Sequence, residues 1–168
     1  MLKMFTTQLT GLFKRLEEKE EFSFEDGARL LAQGRSIYIY GAKEMKAVEF
    51  EALEGAEPLK LAKSFTSVDE LTAADRVLIF TRRSNDDAAL ELARGIQERG
   101  IPFVAVSTVH AEGGLDALAD VHIDLRLTKG LLPDDFGNRF GYPAGMAGLF
   151  VYHGFKFTID EILAEYEE

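Results

Sequence analysis

The chain has no cysteine among its 168 residues and only 3 histidines. Without thiols there can be no disulfide, no thiolate nucleophile and no sulfur-ligated metal centre. His110, His122 and His153 lie far apart with no ligand spacing, so no metal site is expected. No apolar run approaches the ~20 residues that a bilayer-crossing helix needs. The amino terminus carries acidic residues and shows no small-residue cleavage site after an apolar stretch, so a cytoplasmic protein with no membrane partner is expected. Positive charge is also scarce: 19 Lys and Arg stand against 29 Asp and Glu, a net charge of -10. Such a surface on average repels nucleic acid, anionic lipid and phosphorylated metabolites, so any anion site must be built locally.

What is present is enough for one core. With 46% hydrophobic residues, the chain reads as a single α/β domain over residues 1–168, without repeat, low-complexity tract or linker. Two junctions are most informative. Ile37-Tyr38-Ile39-Tyr40 ends at Gly41-Ala42-Lys43, and Val77-Leu78-Ile79-Phe80 ends at Thr81-Arg82-Arg83-Ser84-Asn85-Asp86. Each is a β-prone run giving way to a helical pattern, as in a parallel sheet.

Around these junctions, Phe5, Leu9, Leu12 and Leu16 form the stripe of an amphipathic helix over residues 1–21. Ser23 with Asp26 predicts the start of a second helix, with Phe24, Ala28 and Leu31 on one face and Gly34 as its C-cap. Met45, Val48 and Ala52 mark the inner face of a helix from about Lys43 to Leu53. A weak strand follows, Leu59 to Ala62 or on to Phe65. Ser67 and Glu70 cap a short helix before the third strand. Ala89, Leu92, Ala93 and Ile96 define the next helix, which Gly100 stops. Ile101–Ser107 is the fourth strand, opened by Pro102, and Val121–Leu125 is a short edge strand beside it. Residues 129–148 read as a long structured loop, and the tail as an apolar helix from Met146 to Tyr152, a break at His153-Gly154, and a last helix capped at Thr158. The expected fold is a three-layer αβα sandwich on a five-stranded parallel sheet of order 2-1-3-4-5. In that order the crossovers after strands one and three leave to opposite faces and open a crevice between Gly41 and Thr81.

The residues at that crevice suit an oxyanion. Helix starts present unpaired N–H groups and a partial positive charge. Gly41, Ala42 and Lys43 supply a tight turn and a cation; Thr81, Arg82, Arg83, Ser84, Asn85 and Asp86 supply guanidinium forks, hydroxyls and an amide. A purely structural alternative stays open, in which Ser84 is an N-cap, Asp86 and Asp87 satisfy the helix dipole and the arginines are solvated. The loop containing Arg139, with its aromatics and glycines, suits a lid or an anchored connection equally.

The order of elements over nearly the whole chain resembles the SIS family, the sugar-isomerase domains that bind phosphosugars, and within it the phosphoheptose isomerase type. The resemblance rests on the leading helices, the Ile-Tyr-Ile-Tyr-Gly turn, the Thr81–Asp86 junction and the run from Ala89 to Pro102. At the second turn Asn85 matches the family asparagine, while Arg83, Ser84 and Asp86 stand where the family has serine, glycine and serine; Ala42-Lys43 replaces a glycine-serine element. The resemblance implies a sugar phosphate or similar small phosphorylated metabolite as ligand, no organic cofactor, and assembly as a homodimer or tetramer; the apolar stripe of the helix over residues 1–21 suits that interface, or else packs on its own sheet. If the isomerase chemistry is kept, it implies a base that moves a proton between neighbouring carbons, for which His153 and either Glu49 or Glu51 are the candidates. The altered serine turn favours the alternative of a catalytically silent sensor or scaffold. A receiver domain is excluded by Gly41-Ala42-Lys43 and Thr81-Arg82-Arg83, where it needs acids, and a dinucleotide fold by the isolated Gly41.

Overall fold

The computed structural model describes residues 1–110 and 113–167. Apolar, β-branched and aromatic runs form the central sheet: β1 (Ile37–Gly41), β2 (Ala62–Ser64), β3 (Arg76–Arg83), β4 (Phe103–Thr108) and β5 (Val121–Asp124). All pairings are parallel and the order is β2-β1-β3-β4-β5. The helices are α1 (Leu2–Lys19), α2 (Glu21–Ala32), α3 (Lys46–Glu54), α4 (Asp87–Glu98), the single turn α5 (Leu115–Leu118) and α6 (Ala144–Glu167). Short 3-10 turns cover Lys43–Met45 and Val68–Glu70.

Period-two alternation sends Ile37, Ile39, Leu78, Phe80, Val104 and Val106 to one face, against α1, α2, α3 and α6. Tyr38, Val77, Ile79, Phe103 and Ala105 face α4 and α5 on the other side. The crossover carrying α3 and the one carrying α4 therefore leave to opposite faces, which places a topological switch point between β1 and β3.

Several elements differ from the sequence expectation. α2 begins at Glu21, without a side-chain cap at its start, and Ser23 lies inside its first turn. The corner is set by Glu20, whose buried carboxylate accepts from the Asp124 N–H at 3.2 Å and lies 3.4 Å from the Arg126 guanidinium. Burial pushes this carboxyl above the usual range, against the opposing effects of the Asp124 N–H and Arg126. Gln33, in right-handed helical geometry, is the C-cap of α2, and Gly34 instead packs against Arg76. β2 is only Ala62–Ser64, and β4 starts at Phe103, after Pro102. Ser67 does cap its turn, accepting from the Asp69 N–H at 3.2 Å.

The segment 129–148 is not all loop. It contains a two-stranded antiparallel hairpin, β6 (Leu132–Pro133) with β7 (Arg139–Phe140), and the start of α6. α6 runs unbroken through His153-Gly154. Gly154 serves a crossing: a Cβ there would lie 2.5 Å from Phe24 Cε1, and one on Gly27 would lie 2.7 Å from Phe155 Cε1. Two missing side chains let α2 and α6 approach closely, with the rings of Phe24 and Phe155 5.5 Å apart. Thr158 is no cap; its hydroxyl donates to the Gly154 carbonyl one turn back at 3.1 Å. In α1, Leu12 and Leu16 are fully buried and Phe13 stacks on Phe150 at 4.4 Å, while Phe5 and Leu9, at the other end of the stripe, are half-buried.

Candidate functional site

β1 and β3 lie side by side with Gly41 opposite Phe80, so both bends emerge at the carboxyl rim of the sheet. Ala42, Lys43 and Glu44 from one bend and Arg82, Arg83, Asn85 and Asp86 from the other line a cavity of about 250 Å³. Gly41 is required by close approach, since a Cβ would lie 2.1 Å from the Met45 carbonyl oxygen. The turn folds straight back over the strand end. The Gly41 N–H donates to Glu49 Oε1 at 2.8 Å and the Ala42 N–H to the Phe80 carbonyl at 3.0 Å, so these two donors are already used. Lys43 sits at φ 52, in the left-handed region, at a cost of about 1 kcal/mol for a non-glycine residue. Its exposed ammonium makes no ion pair among the described residues.

The second bend divides into residues turned inward and residues facing the cavity. Thr81 is buried, its hydroxyl donating to the Arg83 carbonyl at 2.7 Å. Ser84 is buried too. Its N–H donates to the Thr108 carbonyl at 2.9 Å, its carbonyl accepts from the Leu115 N–H at 2.9 Å, and its Oγ accepts from the His110 N–H at 2.9 Å. Ser84 thus locks the end of β3 to the end of β4. The N-cap of α4 is Asp86, which accepts from the Ala89 N–H at 2.9 Å, and not Ser84 as in the structural alternative; the helix start does claim the Asp86 carboxylate.

Three cations remain at the cavity. Arg82 is strapped across it, donating from Nε at 3.0 Å and Nη2 at 2.6 Å to Glu44 Oε2, and this hydrogen bond raises the guanidinium pKa further. Arg83 is exposed and makes no ion pair among the described residues; Asn85 is exposed beside it. The Tyr40 phenol, at the end of β1, is pushed up by burial and then by the charges of Asp86 and Glu49.

The other candidates lie elsewhere. Glu49 accepts from the Gly41 N–H at the β1 bend but is not among the residues lining the crevice, whereas Glu51 and His153 line a separate cavity of about 140 Å³ with Lys156. His153 Nδ1 is 2.8 Å from the Leu149 carbonyl, and its ring also borders an apolar groove of about 580 Å³ with Phe24, Phe150 and Phe157. Arg139 donates to the carbonyls of Gly130 and Leu131 at 3.1 and 3.0 Å, so its guanidinium holds the hairpin rather than the crevice. Tyr142, in the segment after β7, donates its hydroxyl to the Leu127 carbonyl. Tyr142 and Glu44 were not singled out by sequence: Glu44 is one acid among many, and Tyr142 reads as a loop anchor. Among the described residues no group of three or more His, Asp and Glu could hold a metal ion, and no helix is long and apolar enough to cross a membrane.

This architecture is shared with solved structures of low sequence identity. A candidate sugar-phosphate isomerase from Listeria monocytogenes superposes with a TM-score of 0.69 at 15% identity, over 99% of this chain and 88% of that one. A phosphoheptose isomerase from Francisella tularensis gives 0.66 at 11% identity, over 95% and 96%. At such identities these similarities show the fold. The uncharacterized protein YwjG of Bacillus subtilis (strain 168) is 46% identical over 172 residues, covering 99% of both chains. The profile of a domain of unknown function, DUF2529, matches residues 1–163, and the chain belongs to that family.

Proposed function

We propose that the crevice between β1 and β3 binds a sugar phosphate, and that the chain is a SIS-type phosphosugar-binding domain. The observation that carries this reading is the pair of unneutralised cations, Lys43 and Arg83, on facing walls of a small cavity in a chain of net charge -10. Their charge-assisted hydrogen bonds would take the role that hydroxyls play in the resembling family. Glu44 and Asp86 set the selectivity: Glu44 already draws on Arg82, and both carboxylates repel an anion that sits too deep. The phosphate therefore belongs at the outer cavity, with the sugar hydroxyls directed at Asn85 and the acids. The resemblance of fold to sugar-phosphate isomerases supports the ligand class.

Binding without turnover fits the placement of His153 and Glu51 outside the cavity. The isomerase reading is favoured by one feature, Glu49, a carboxylate hydrogen-bonded to the Gly41 N–H at the β1 bend, which would serve as the base. Calorimetric titration with ketose and aldose phosphates tests the first proposal. Saturable binding is expected, with Arg83→Ala and Lys43→Ala each weakening it about tenfold, the loss of one charge-assisted hydrogen bond of ~1.5 kcal/mol. Absence of binding, or binding unchanged in both variants, would refute it. A ketose-aldose interconversion assay that Glu49→Gln abolishes would establish turnover.

A further inference from the structure

A second concentration of positive charge lies away from the crevice. Arg15 from α1, Arg126 and Lys129 from the segment after β5, and Arg139 from β7 surround a cavity of about 140 Å³, with Gln8 completing the polar wall. Among the described residues, no Asp or Glu lines it. In a chain carrying 29 acids against 19 bases, four cations converging from three segments is a local inversion of the surface.

The cations are held rather than loose. Arg139 is fixed by two carbonyl acceptors, at 3.1 and 3.0 Å, and Arg126 by the buried Glu20 at 3.4 Å. Arg15 and Lys129 make no ion pair among the described residues. The backbone adds a second feature, independent of the side chains. The N–H groups of Arg126 and Leu127 are bonded to Asp124 and Thr108, and that of Leu131 to the Gly141 carbonyl. Between them, the N–H groups of Thr128, Lys129 and Gly130 have no acceptor among the described residues. All three residues line the cavity, and Gly130 is buried. A Cβ on Gly130 would lie 2.2 Å from the Phe140 carbonyl oxygen, so the hairpin braces the segment from behind. A braced backbone with free donors among cations is the construction that binds oxyanions.

We infer that this basin is a binding site for a phosphate-bearing anion, separate from the crevice: Arg15 and Lys129 supply the free charge, and the backbone of 128–130 supplies the donors. The Tyr142 hydroxyl donates to the carbonyl of Leu127, another residue of the basin wall.

The test uses the full chain, isotopically labelled, titrated with inorganic pyrophosphate and, in parallel, with inorganic phosphate, while backbone amide resonances are followed. Saturable shifts centred on Thr128, Lys129 and Gly130 are expected, tighter for pyrophosphate, and weakened severalfold as salt rises from 50 to 200 mM. The double variant Arg15→Gln/Lys129→Gln changes only exposed side chains, and it should weaken pyrophosphate binding at least tenfold. Arg83→Ala should leave the basin shifts in place, so failure of the crevice proposal and failure of this one are distinguishable. Shifts confined to residues 42–44 and 82–86, no saturation by 10 mM pyrophosphate, or undiminished binding in the double variant would each overturn the assignment.

Discussion

Glycine does two different jobs in this molecule, and the contrast between the β1 bend and the α2–α6 crossing shows where function and packing separate. At Gly41 the missing side chain lets backbone fold onto backbone, 2.1 Å from where a Cβ would stand, and opens a polar cavity beyond. At Gly154 it lets an aromatic ring settle against a helix, and what lies beside it is an apolar groove lined by Phe24, Phe150 and Phe157. The first obstacle is rigid and the second is the edge of a movable ring. The crevice is consequently the brittle region, and the helix layer the more forgiving one.

The sharpest way to break this comparison is Gly41→Ala. The clash is with the Met45 main chain, which cannot rotate away, so a loss at or above the top of the ~1–3 kcal/mol range for overpacking is expected. Thermal unfolding would show a drop of several degrees, at ~2–4 °C per kcal/mol for a chain of this size. Ser84→Ala comes next. It removes the hydrogen bond that buried Ser84 Oγ accepts from the His110 N–H and should cost ~0.5–1.5 kcal/mol, measurable by urea denaturation with an unchanged slope.

Gly154→Ala is expected to be smaller and is the most discriminating for the helix layer. An alanine favours an uninterrupted helix by ~1 kcal/mol, so a helix break would be stabilised by being repaired. The contact with Phe24 predicts net destabilisation instead, relieved in the double variant Gly154→Ala/Phe24→Leu. Tyr152→Phe should have the smallest effect and the opposite sign. Its hydroxyl is buried, finds no partner among the described residues, and has its pKa pushed up to about 12 by burial and the charges of Glu51 and Asp160. Removing it should leave stability unchanged or raise it slightly by calorimetry.

The same pair of glycines shows why part of the fold was legible in the sequence and part was not. Local alternation and helical periodicity are properties of neighbouring residues, so the strands, their order and the switch-point crevice could be read directly from Ile37–Gly41 and Val77–Asp86. Gly154 carries the same local signal as a helix break, and only the presence of Phe24, far away in sequence, turns it into a contact. The start of α2 is hidden from the local sequence for the same reason. Its corner depends on Glu20 meeting Asp124 and Arg126, a pairing that no window around Ser23 contains. At the crevice the lining residues were legible as types, but their orientation was not: Thr81 and Ser84 turn inward to hold strand ends, and Arg82 is claimed by Glu44 from the other bend.

The central claim is that the facing bends form one receptive hollow whose working groups are Lys43 and Arg83. A crystal structure of the full chain grown with a ketose phosphate tests it most directly. Phosphate oxygens are expected within ~2.7–3.2 Å of Lys43 Nζ and the Arg83 guanidinium, with the Arg82–Glu44 strap retained or opened toward the sugar. A phosphate bound elsewhere while the hollow stays empty would contradict it.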